Sequence, residues 1–365
     1  MAKTQIITYR YRVKDGGNSN RRALLRQARG VNRIWNYCCE VDKLAQSRYK
    51  AGLHVKRPSA FDLANLCRGI TKELGVHSDT VDAVCKKFVD ARSQCFPKTP
   101  RFRSYRRSLP WIPFSNFSRP AKINGKSIVV MKRHYRLWFD RPIPDDATLK
   151  SWSFSTDARG RWYINIAIEI SVSVGAARGA VGVDLGLKTL ATLSTGEEIQ
   201  TPAFYRKAEK KLALYQRRNQ KKRARALHAK IANQRKHFLH VATTKIAREF
   251  SEIYVGDVSP SRLSKTNMAK SIGDAGWAML RSMLSYKAIK LGGVMRIVPE
   301  RMTSQTCSCC GALPDTRPKG IAGLGMRHWD CSECGAVHNR DHNAALNILR
   351  VGLERQPPLV GITAI

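Results

Sequence analysis

Two C-x-x-C pairs near the end of the chain constrain its fold more than any other feature. Cys307 and Cys310 form the first pair, Cys331 and Cys334 form the second, and about twenty residues separate them. Each pair can present two thiolates from one tight turn, and four thiolates match the tetrahedral coordination that Zn²⁺ prefers. The spacing therefore predicts a zinc ribbon that holds one structural Zn²⁺ ion. Disulfide pairing and four unrelated buried thiols are the alternatives.

Two candidate carboxylates lie far apart in the sequence. Asp184 stands in the alternating segment VGVDLG, which predicts a strand that carries an acid on one face. Asp341 precedes a helical pattern of apolar residues after the second cysteine pair, although an acid there can also act only as an N-cap. An acid on the first strand of a hairpin and another on the last helix are typical of an RNase H-like nuclease core. Such cores bring carboxylates together around divalent metal ions.

Three segments together resemble one known family. They are GVDLGLKTLATLS, the paired-cysteine segment TCSCCG…WDCSECG, and HNRDHNAALNIL. These segments resemble the TnpB (OrfB) family of transposon-encoded RNA-guided DNA nucleases, which are related to type V CRISPR effectors. The resemblance covers residues 180–352. It implies an α/β fold with an RNase H-like (RuvC) core and an inserted zinc ribbon, together with an N-terminal wedge β-barrel that contains an inserted helical recognition lobe.

The patterning of the chain agrees with the division that the resemblance implies. Short alternating runs between turn residues are typical of a small β-barrel, and helical spacing lies between the first strand and the later ones. The expected parts are a wedge β-barrel at residues 1–15 and 97–174, a helical recognition lobe at 16–96, a nuclease domain at 175–305 and 335–355, a zinc ribbon at 306–334, and a C-terminal tail at 356–365.

The charge of the chain indicates a polyanionic partner. It contains 65 Lys and Arg residues against 27 Asp and Glu residues, which gives a formal net charge of +38. Such a surface attracts nucleic acids and releases counterions when it binds them, although ribosomal and chromatin proteins share this bias. No apolar run is long enough to span a bilayer, so no membrane partner is expected. The resemblance implies a cytoplasmic, nucleoid-associated protein of a bacterium or archaeon. In an intracellular chain, ten cysteines indicate thiols and metal ligands rather than disulfides.

Two basic segments are candidate nucleic-acid surfaces. In the first, arginines alternate with Phe102 and Tyr105 and could supply phosphate contacts and stacking platforms, but a solvated loop explains the pattern equally well. In the second, residues 204–250 fit two long helices whose crowded cations would repel one another without a polyanion, which favours a guide RNA or its duplex with target DNA. The candidate residues are Arg101, Arg103, Arg106 and Arg107 in the first segment and Arg217, Arg218, Lys221 and Lys222 in the second.

The sequence departs from the usual TnpB pattern at Gly256, where the family carries a glutamate. Glycine cannot bind a metal ion, and Asp257 would point to the opposite face of the strand. Glu300 is the best alternative, because residues 294–298 predict a parallel strand about 4.8 Å from the strand that ends at Gly256. The same relocation of a glutamate characterises the eukaryotic relatives called Fanzor and the TnpB branch nearest to them. A glutamate that only forms a salt bridge at a strand end is the alternative interpretation.

The expected chemistry is Mg²⁺-dependent hydrolysis of a phosphodiester. Asp184, Glu300 and Asp341 would hold two Mg²⁺ ions about 3.5–4 Å apart, because carboxylate oxygens are the ligands that Mg²⁺ prefers. The softer thiolates of the ribbon suit zinc, so the two kinds of site should not compete. The implied partners are a guide RNA and double-stranded target DNA with a short adjacent motif. A guided repressor that binds DNA without cutting it and a transposase that acts on transposon DNA are the alternatives.

Overall fold

The chain divides into two compact units, one formed by residues 4–171 and the other by residues 1–3 and 172–365. The computed structural model describes residues 3–14, 17–53, 55–117, 121–172, 178–258, 276–319 and 322–354. The expected C-terminal tail at 356–365 lies outside the described residues. Within the described part of the chain, none of the helices has the length and apolar character needed to cross a membrane.

The N-terminal unit is built on a seven-stranded sheet that curls into a half-barrel. In hydrogen-bonded order the strands run β2-β6-β7-β1-β5-β4-β3. Alternate residues of β7 are buried, as expected for a strand with one face on a core. The expected barrel is therefore an open sheet with β2 and β3 as its edges, as far as the described strands show. The strands are β1 (Lys3–Val13), β2 (Trp111–Phe114), β3 (Ala121–Asn124), β4 (Ser127–Val130), β5 (Arg133–Trp138), β6 (Thr148–Thr156) and β7 (Trp162–Val172).

Among the described residues, four α-helices and a short 3-10 helix (Arg68–Ile70) of this unit lie between β1 and β2 in the sequence. The second begins with a capping box, in which the Ser59 side chain accepts from the Asp62 backbone N–H and the Asp62 carboxylate accepts from the Ser59 N–H. Asp42 is fully buried on the first helix, and its carboxylate accepts hydrogen bonds from Arg57 and Arg92. The helices are α1 (Gly17–Lys50), α2 (Ala60–Cys67), α3 (Thr71–Leu74) and α4 (Ser78–Gln94).

The C-terminal unit contains a mixed five-stranded sheet in the order β10-β9-β8-β11-β12. The first three strands pair antiparallel as consecutive hairpins, whereas β11 is parallel to both β8 and β12. The strands are β8 (Ala180–Leu185), β9 (Thr189–Leu193), β10 (Glu198–Gln200), β11 (Glu252–Gly256) and β12 (Val294–Val298). The helices are α5 (Phe204–Arg217), α6 (Lys221–Glu249), α7 (Trp277–Lys290) and α8 (Arg340–Glu354).

Helices cover both faces of this sheet. On one face, Val183 and Val255 belong to a core cluster with residues of α6 and α7, such as Leu239 and Leu284. On the other face, α8 lies directly against β8, where a Cβ at Gly182 would collide with a backbone carbonyl oxygen of α8. The short hairpin of β13 (His328–Asp330) and β14 (Val337–Asn339) leads straight into α8. This connection carries the end of the cysteine-rich segment back to the strand that bears Asp184.

Candidate metal centre and nucleic-acid interface

Asp184 is the central acid of the C-terminal unit. It lies near the end of β8, where its backbone pairs with Thr192 of β9. Burial raises the pKa of Asp184, the nearby charges of Asp341 and Glu300 add to this effect, and Arg340 opposes it, so that the pKa is about 7. The structure therefore brings the three predicted acids close enough to interact electrostatically.

Glu300 lies just beyond β12, beside the end of β11. Gly256 pairs with Val298 across these two parallel strands. A Cβ built on Gly256 would lie 2.6 Å from Oε2 of Glu300 and 3.3 Å from its Cβ. The Glu300 carboxylate thus fills the space that a side chain at position 256 would enter. Its Oε2 atom is buried and has no hydrogen-bond partner in the described part of the chain.

The side chain of Asp257 contacts the backbone of Glu300. The Glu300 N–H donates to Oδ1 of Asp257 at 3.1 Å, and the Val258 N–H donates in return to the Glu300 carboxylate. Burial raises the pKa of Glu300, the Asp257 charge adds to this effect, and the Arg281 charge opposes it. Asp257 itself is exposed. These reciprocal contacts tie together the ends of β11 and β12 and orient Glu300.

Arg281 is a cation of this site that the sequence did not reveal. Its Nη2 atom donates to the Gly256 carbonyl oxygen at 2.6 Å. Burial lowers the pKa of Arg281, and the charges of Glu300 and Asp257 oppose that shift. An arginine in a largely apolar helix such as α7 gives no local signal that it will face a carboxylate about twenty residues later in the chain.

Asp341 lies in the first turn of α8 but does not cap the helix. Oδ1 of Asn339 accepts from the backbone N–H groups of Asp341 and His342 at 3.0 and 3.1 Å, which is the work of an N-cap. The Asp341 carboxylate instead accepts from Nη1 of Arg327, at 2.8 and 3.0 Å. In the described chain, the oxygens of the three acids do not all lie within 4.8 Å of one another, and Arg327 holds one of them.

The four predicted cysteines converge as a group that could hold a metal ion such as zinc. All four Sγ atoms lie within 4.8 Å of one another, and the Cys307–Cys334 and Cys310–Cys331 pairs are each separated by 3.7 Å. A regular tetrahedron with 3.7 Å edges has its centre about 2.3 Å from each vertex, which is the usual Zn–S bond length. Cys309 is exposed and stands outside this group.

The first basic segment divides into inward and outward residues. The Arg103 side chain donates to Oδ1 of Asn32 at 2.8 Å and to the Leu109 carbonyl oxygen at 3.1 Å, and burial lowers its pKa. Arg103 is thus half-buried and hydrogen-bonded within its own unit, and its expected contact with nucleic acid stays a prediction. Phe102 and Tyr105 are 44% and 59% exposed. The remaining predicted cations of this segment are also exposed: Arg101, Arg106 and Arg107.

The second basic segment forms α5 and α6, and its four candidate residues cluster around the turn between them. The apolar side chains of Leu212 and Ile231 are buried beneath these helices. No ion pair neutralises the four cations within the residues that the structure describes. The four exposed residues are Arg217, Arg218, Lys221 and Lys222.

Comparison with known proteins agrees with this architecture. Two family profiles match: OrfB_IS605, described as a probable transposase, over residues 166–267, and the Cas12f1-like TNB domain over residues 277–348. A solved Cas12f1–sgRNA–target DNA complex contains a chain that superposes with a TM-score of 0.63 at 13% identity, covering 91% of this chain and 83% of that one. At this level of identity, the likeness concerns the fold.

Two curated relatives are 33% identical to this chain. One, from Streptomyces pristinaespiralis, is provisionally named an RNA-guided DNA endonuclease and aligns over 70% of this chain and 66% of its own length. The other, InsQ of Escherichia coli, has the same provisional activity and aligns over 53% and 54%. The matched region thus spans about two thirds of the first relative and about half of the second. A TnpB-like protein of Acanthamoeba polyphaga mimivirus is 26% identical over 234 residues.

The sheet and the inserted cysteine cluster lie within the two regions that match the OrfB_IS605 and Cas12f1-like TNB family profiles. The chain belongs to the TnpB (OrfB) family.

Proposed function

We propose that this chain is an RNA-guided DNA endonuclease encoded by a transposon, which cuts target DNA by Mg²⁺-dependent phosphodiester hydrolysis. The observation that carries the proposal is the raised pKa of Asp184, to which burial contributes most and the nearby charges of Asp341 and Glu300 add. Three acids from separate parts of the sequence are concentrated where a net negative charge is unfavourable without a cation. The family and the activities named for the 33% identical relatives support the same reaction.

The topology supports an RNase H-like (RuvC) core for the C-terminal unit. The acid-bearing β8 is the first strand of a hairpin, and α8 returns the second acid to it after the ribbon. The N-terminal unit would supply the wedge and recognition parts. We place the boundaries of these parts as expected from the sequence, with the wedge at residues 1–15 and 97–174, the recognition lobe at 16–96, the nuclease at 175–305 and 335–355, and the ribbon at 306–334.

The residues of the carboxylate site fit divalent metal ions. The donors are hard oxygens, which suit Mg²⁺, and Oε2 of Glu300 is buried without a hydrogen bond. Asp184, Glu300 and Asp341 would hold two Mg²⁺ ions, which supply an activated water for in-line attack and stabilise the leaving 3′-oxygen. The four ribbon cysteines would hold one Zn²⁺ as a structural ion.

The other residues of the site have supporting roles in this proposal. The Asp257 carboxylate accepts from the Glu300 backbone N–H, and the Val258 N–H donates to the Glu300 carboxylate. These two contacts hold Glu300 in place. Arg281 fixes the Gly256 carbonyl oxygen and balances part of the negative charge. Arg327 donates to both oxygens of Asp341 and would therefore compete with a metal ion for this carboxylate. In this proposal, Glu300 supplies the metal-binding carboxylate that the family's glutamate provides and that Gly256 lacks.

The proposed partners are a guide RNA and double-stranded DNA with a short adjacent motif. The exposed cations at the turn between α5 and α6 would contact phosphates of the RNA or its duplex with DNA. Phe102 and Tyr105, with their neighbouring arginines, offer stacking and phosphate contacts on the N-terminal unit.

Cleavage by the purified complex tests this function. The protein is co-expressed with the RNA of its locus, and cutting of a matched target duplex is followed with Mg²⁺ and without it. We expect Mg²⁺-dependent cutting that Asp184→Asn abolishes while guided binding persists, because binding depends on base pairing and backbone contacts. Guided binding by the wild type without any cutting would instead identify a non-cutting repressor. Mg²⁺-dependent joining of transposon ends without guided cutting would identify a transposase.

A further inference from the structure

Three helices of the N-terminal unit meet at a cluster of cysteines that the proposed nuclease does not use. Cys38 lies on α1, Cys67 ends α2, and Cys85 lies on α4. Each is 0% exposed. Their three Sγ atoms all lie within 4.8 Å of one another, and those of Cys38 and Cys85 are 3.9 Å apart. We name this group the helical cysteine trio.

The spacing of the trio matches a metal coordinated by three sulfur atoms. The Cys38–Cys85 edge of this sulfur triangle measures 3.9 Å and the other two edges are at most 4.8 Å, so its centre lies about 2.3–2.6 Å from each sulfur atom, close to the usual Zn–S bond length of about 2.3 Å. From this geometry we propose that the helical cysteine trio binds one soft, thiophilic metal cation. This site is separate from the ribbon and does not depend on the proposed nuclease function.

The chemistry of the donors restricts which cation can bind. Thiolates select soft or borderline ions such as Cu⁺ and Zn²⁺ and exclude Mg²⁺ and Ca²⁺. No histidine, carboxylate or fourth cysteine joins this group in the described part of the chain. The site therefore offers three protein ligands, in contrast to the four of the ribbon. Three thiolates in the protein interior are stable only with a cation, because burial alone favours the neutral thiols.

Without a cation, the trio would be three small apolar side chains in a helical core, as buried free cysteines usually are. Cys39 shows this ordinary behaviour in the same helix. It is also fully buried, but its Sγ atom lies 3.4 Å from the Pro100 carbonyl oxygen and outside the trio. Cys39 is therefore a matched control for the effects of removing a buried thiol.

A bound cation would join α1, α2 and α4 at one point. Metal binding to a site that exists only in the folded protein adds its binding free energy to the stability of that fold. We therefore expect the trio to set the relative positions of these three helices when it is loaded.

The test is a Cd²⁺ titration of the full-length, reduced, metal-stripped protein, followed by sulfur-to-metal charge-transfer absorption. We expect two equivalents in the wild type, one for the ribbon and one for the trio, with absorption that corresponds to seven thiolates. Cys67→Ala and Cys85→Ala should each lose one equivalent, as should Cys331→Ser in the ribbon. Cys39→Ala should retain two. Elemental analysis of the protein as isolated then distinguishes zinc from copper as the natural occupant.

The proposal is overturned if the wild type binds one equivalent with absorption from four thiolates only. It is also overturned if Cys67→Ala and Cys85→Ala both retain two equivalents, which would place the second ion elsewhere. If circular dichroism shows that an alanine variant does not fold, the absorption of the wild type still tests the proposal. Seven metal-bound thiolates support a loaded trio, and four indicate that only the ribbon binds metal.

Discussion

The proposed replacement of a carboxylate at position 256 by Glu300 depends on the positions of individual residues. β11 and β12 are parallel neighbours, and Gly256 pairs with Val298, two residues before Glu300. A glutamate that leaves the end of β12 can thus reach the space above a side-chain-free position on β11. The missing Cβ at Gly256 is what leaves room for the Glu300 carboxylate.

The raised pKa of Asp184 predicts a pH-dependent stability in the absence of Mg²⁺. Its folded-state pKa is about 7, above its ordinary value of 3.8, so the stabilisation that comes with its proton is complete below about pH 4 and is lost as the pH rises through about 7. Asp184→Asn removes this titration. Denaturant unfolding should therefore show the variant gaining stability relative to the wild type between about pH 5 and pH 8.

Addition of Mg²⁺ at about pH 8 should reduce that difference, because a bound cation favours the ionised carboxylate of the wild type. A difference in the free energy of unfolding that does not change with pH would contradict the assigned shift.

Asp257 should matter for cleavage less than Glu300 does. Its contact with the site is a hydrogen bond to the Glu300 backbone, and one such bond contributes about 1 kcal/mol. We expect Asp257→Ala, which removes this acceptor, to lower the cleavage rate by about five- to tenfold, with the Mg²⁺ concentration needed for half-maximal rate little changed. Abolished cleavage in this variant, with normal folding, would show that Asp257 binds metal directly.

At the scale of elements, buried charge holds the helices of the N-terminal unit together. Asp42 of α1 accepts hydrogen bonds from Arg57, Arg92 and Thr99, which lie in a loop, in α4 and beyond it. This carboxylate thus links segments that are far apart in the sequence. Its loss would leave two arginines without their buried partner.

We expect Asp42→Ala to lower the free energy of unfolding by about 3–5 kcal/mol, as removal of one partner of a buried ion pair does. Asp82→Ala is the matched control, because the Asp82–Arg68 pair is exposed at 3.7 Å and should contribute less than about 1 kcal/mol. Urea denaturation monitored by circular dichroism measures both. Equal effects of the two substitutions would contradict this account of α1.

The elements themselves could largely be predicted from the sequence, whereas several contacts at the site could not. Alternating apolar residues marked strands such as β1 and β8, because burial of one strand face leaves a period of two. The paired spacing of the four ribbon cysteines also predicted that they form one group, because each C-x-x-C pair lies within one short turn. The positions of Arg281 and Arg327 beside the acids could not be predicted, because they depend on how helices and hairpins pack in the folded chain. The open edges of the half-barrel also depend on strand registers that alternation does not encode.

At the scale of the whole molecule, the charge of +38 is concentrated in part on α5 and α6. We expect simultaneous replacement of Arg217, Arg218, Lys221 and Lys222 by glutamine to weaken RNA binding. The slope of log affinity against log salt should fall by up to about three, because each lost phosphate contact removes about 0.7 for a single strand. Filter binding at several salt concentrations measures this.

The charge-preserving replacements Arg217→Lys and Arg218→Lys serve as the control and should retain the slope. An unchanged slope in the glutamine variant would show that these side chains are only solvated.

The central claim is that Glu300 supplies the carboxylate that position 256 lacks. The most direct measurement is the cleavage rate of the RNA-loaded protein on a matched target in Mg²⁺, for four chains: wild type, Glu300→Ala, Gly256→Glu, and the double variant. Glu300→Ala should abolish cutting and leave guided binding intact. Gly256→Glu alone should also impair cutting, because its Cβ would lie 2.6 Å from the Glu300 carboxylate. The double variant should recover part of the activity, since the second carboxylate then enters the vacated space. Wild-type cutting by Glu300→Ala would contradict the claim.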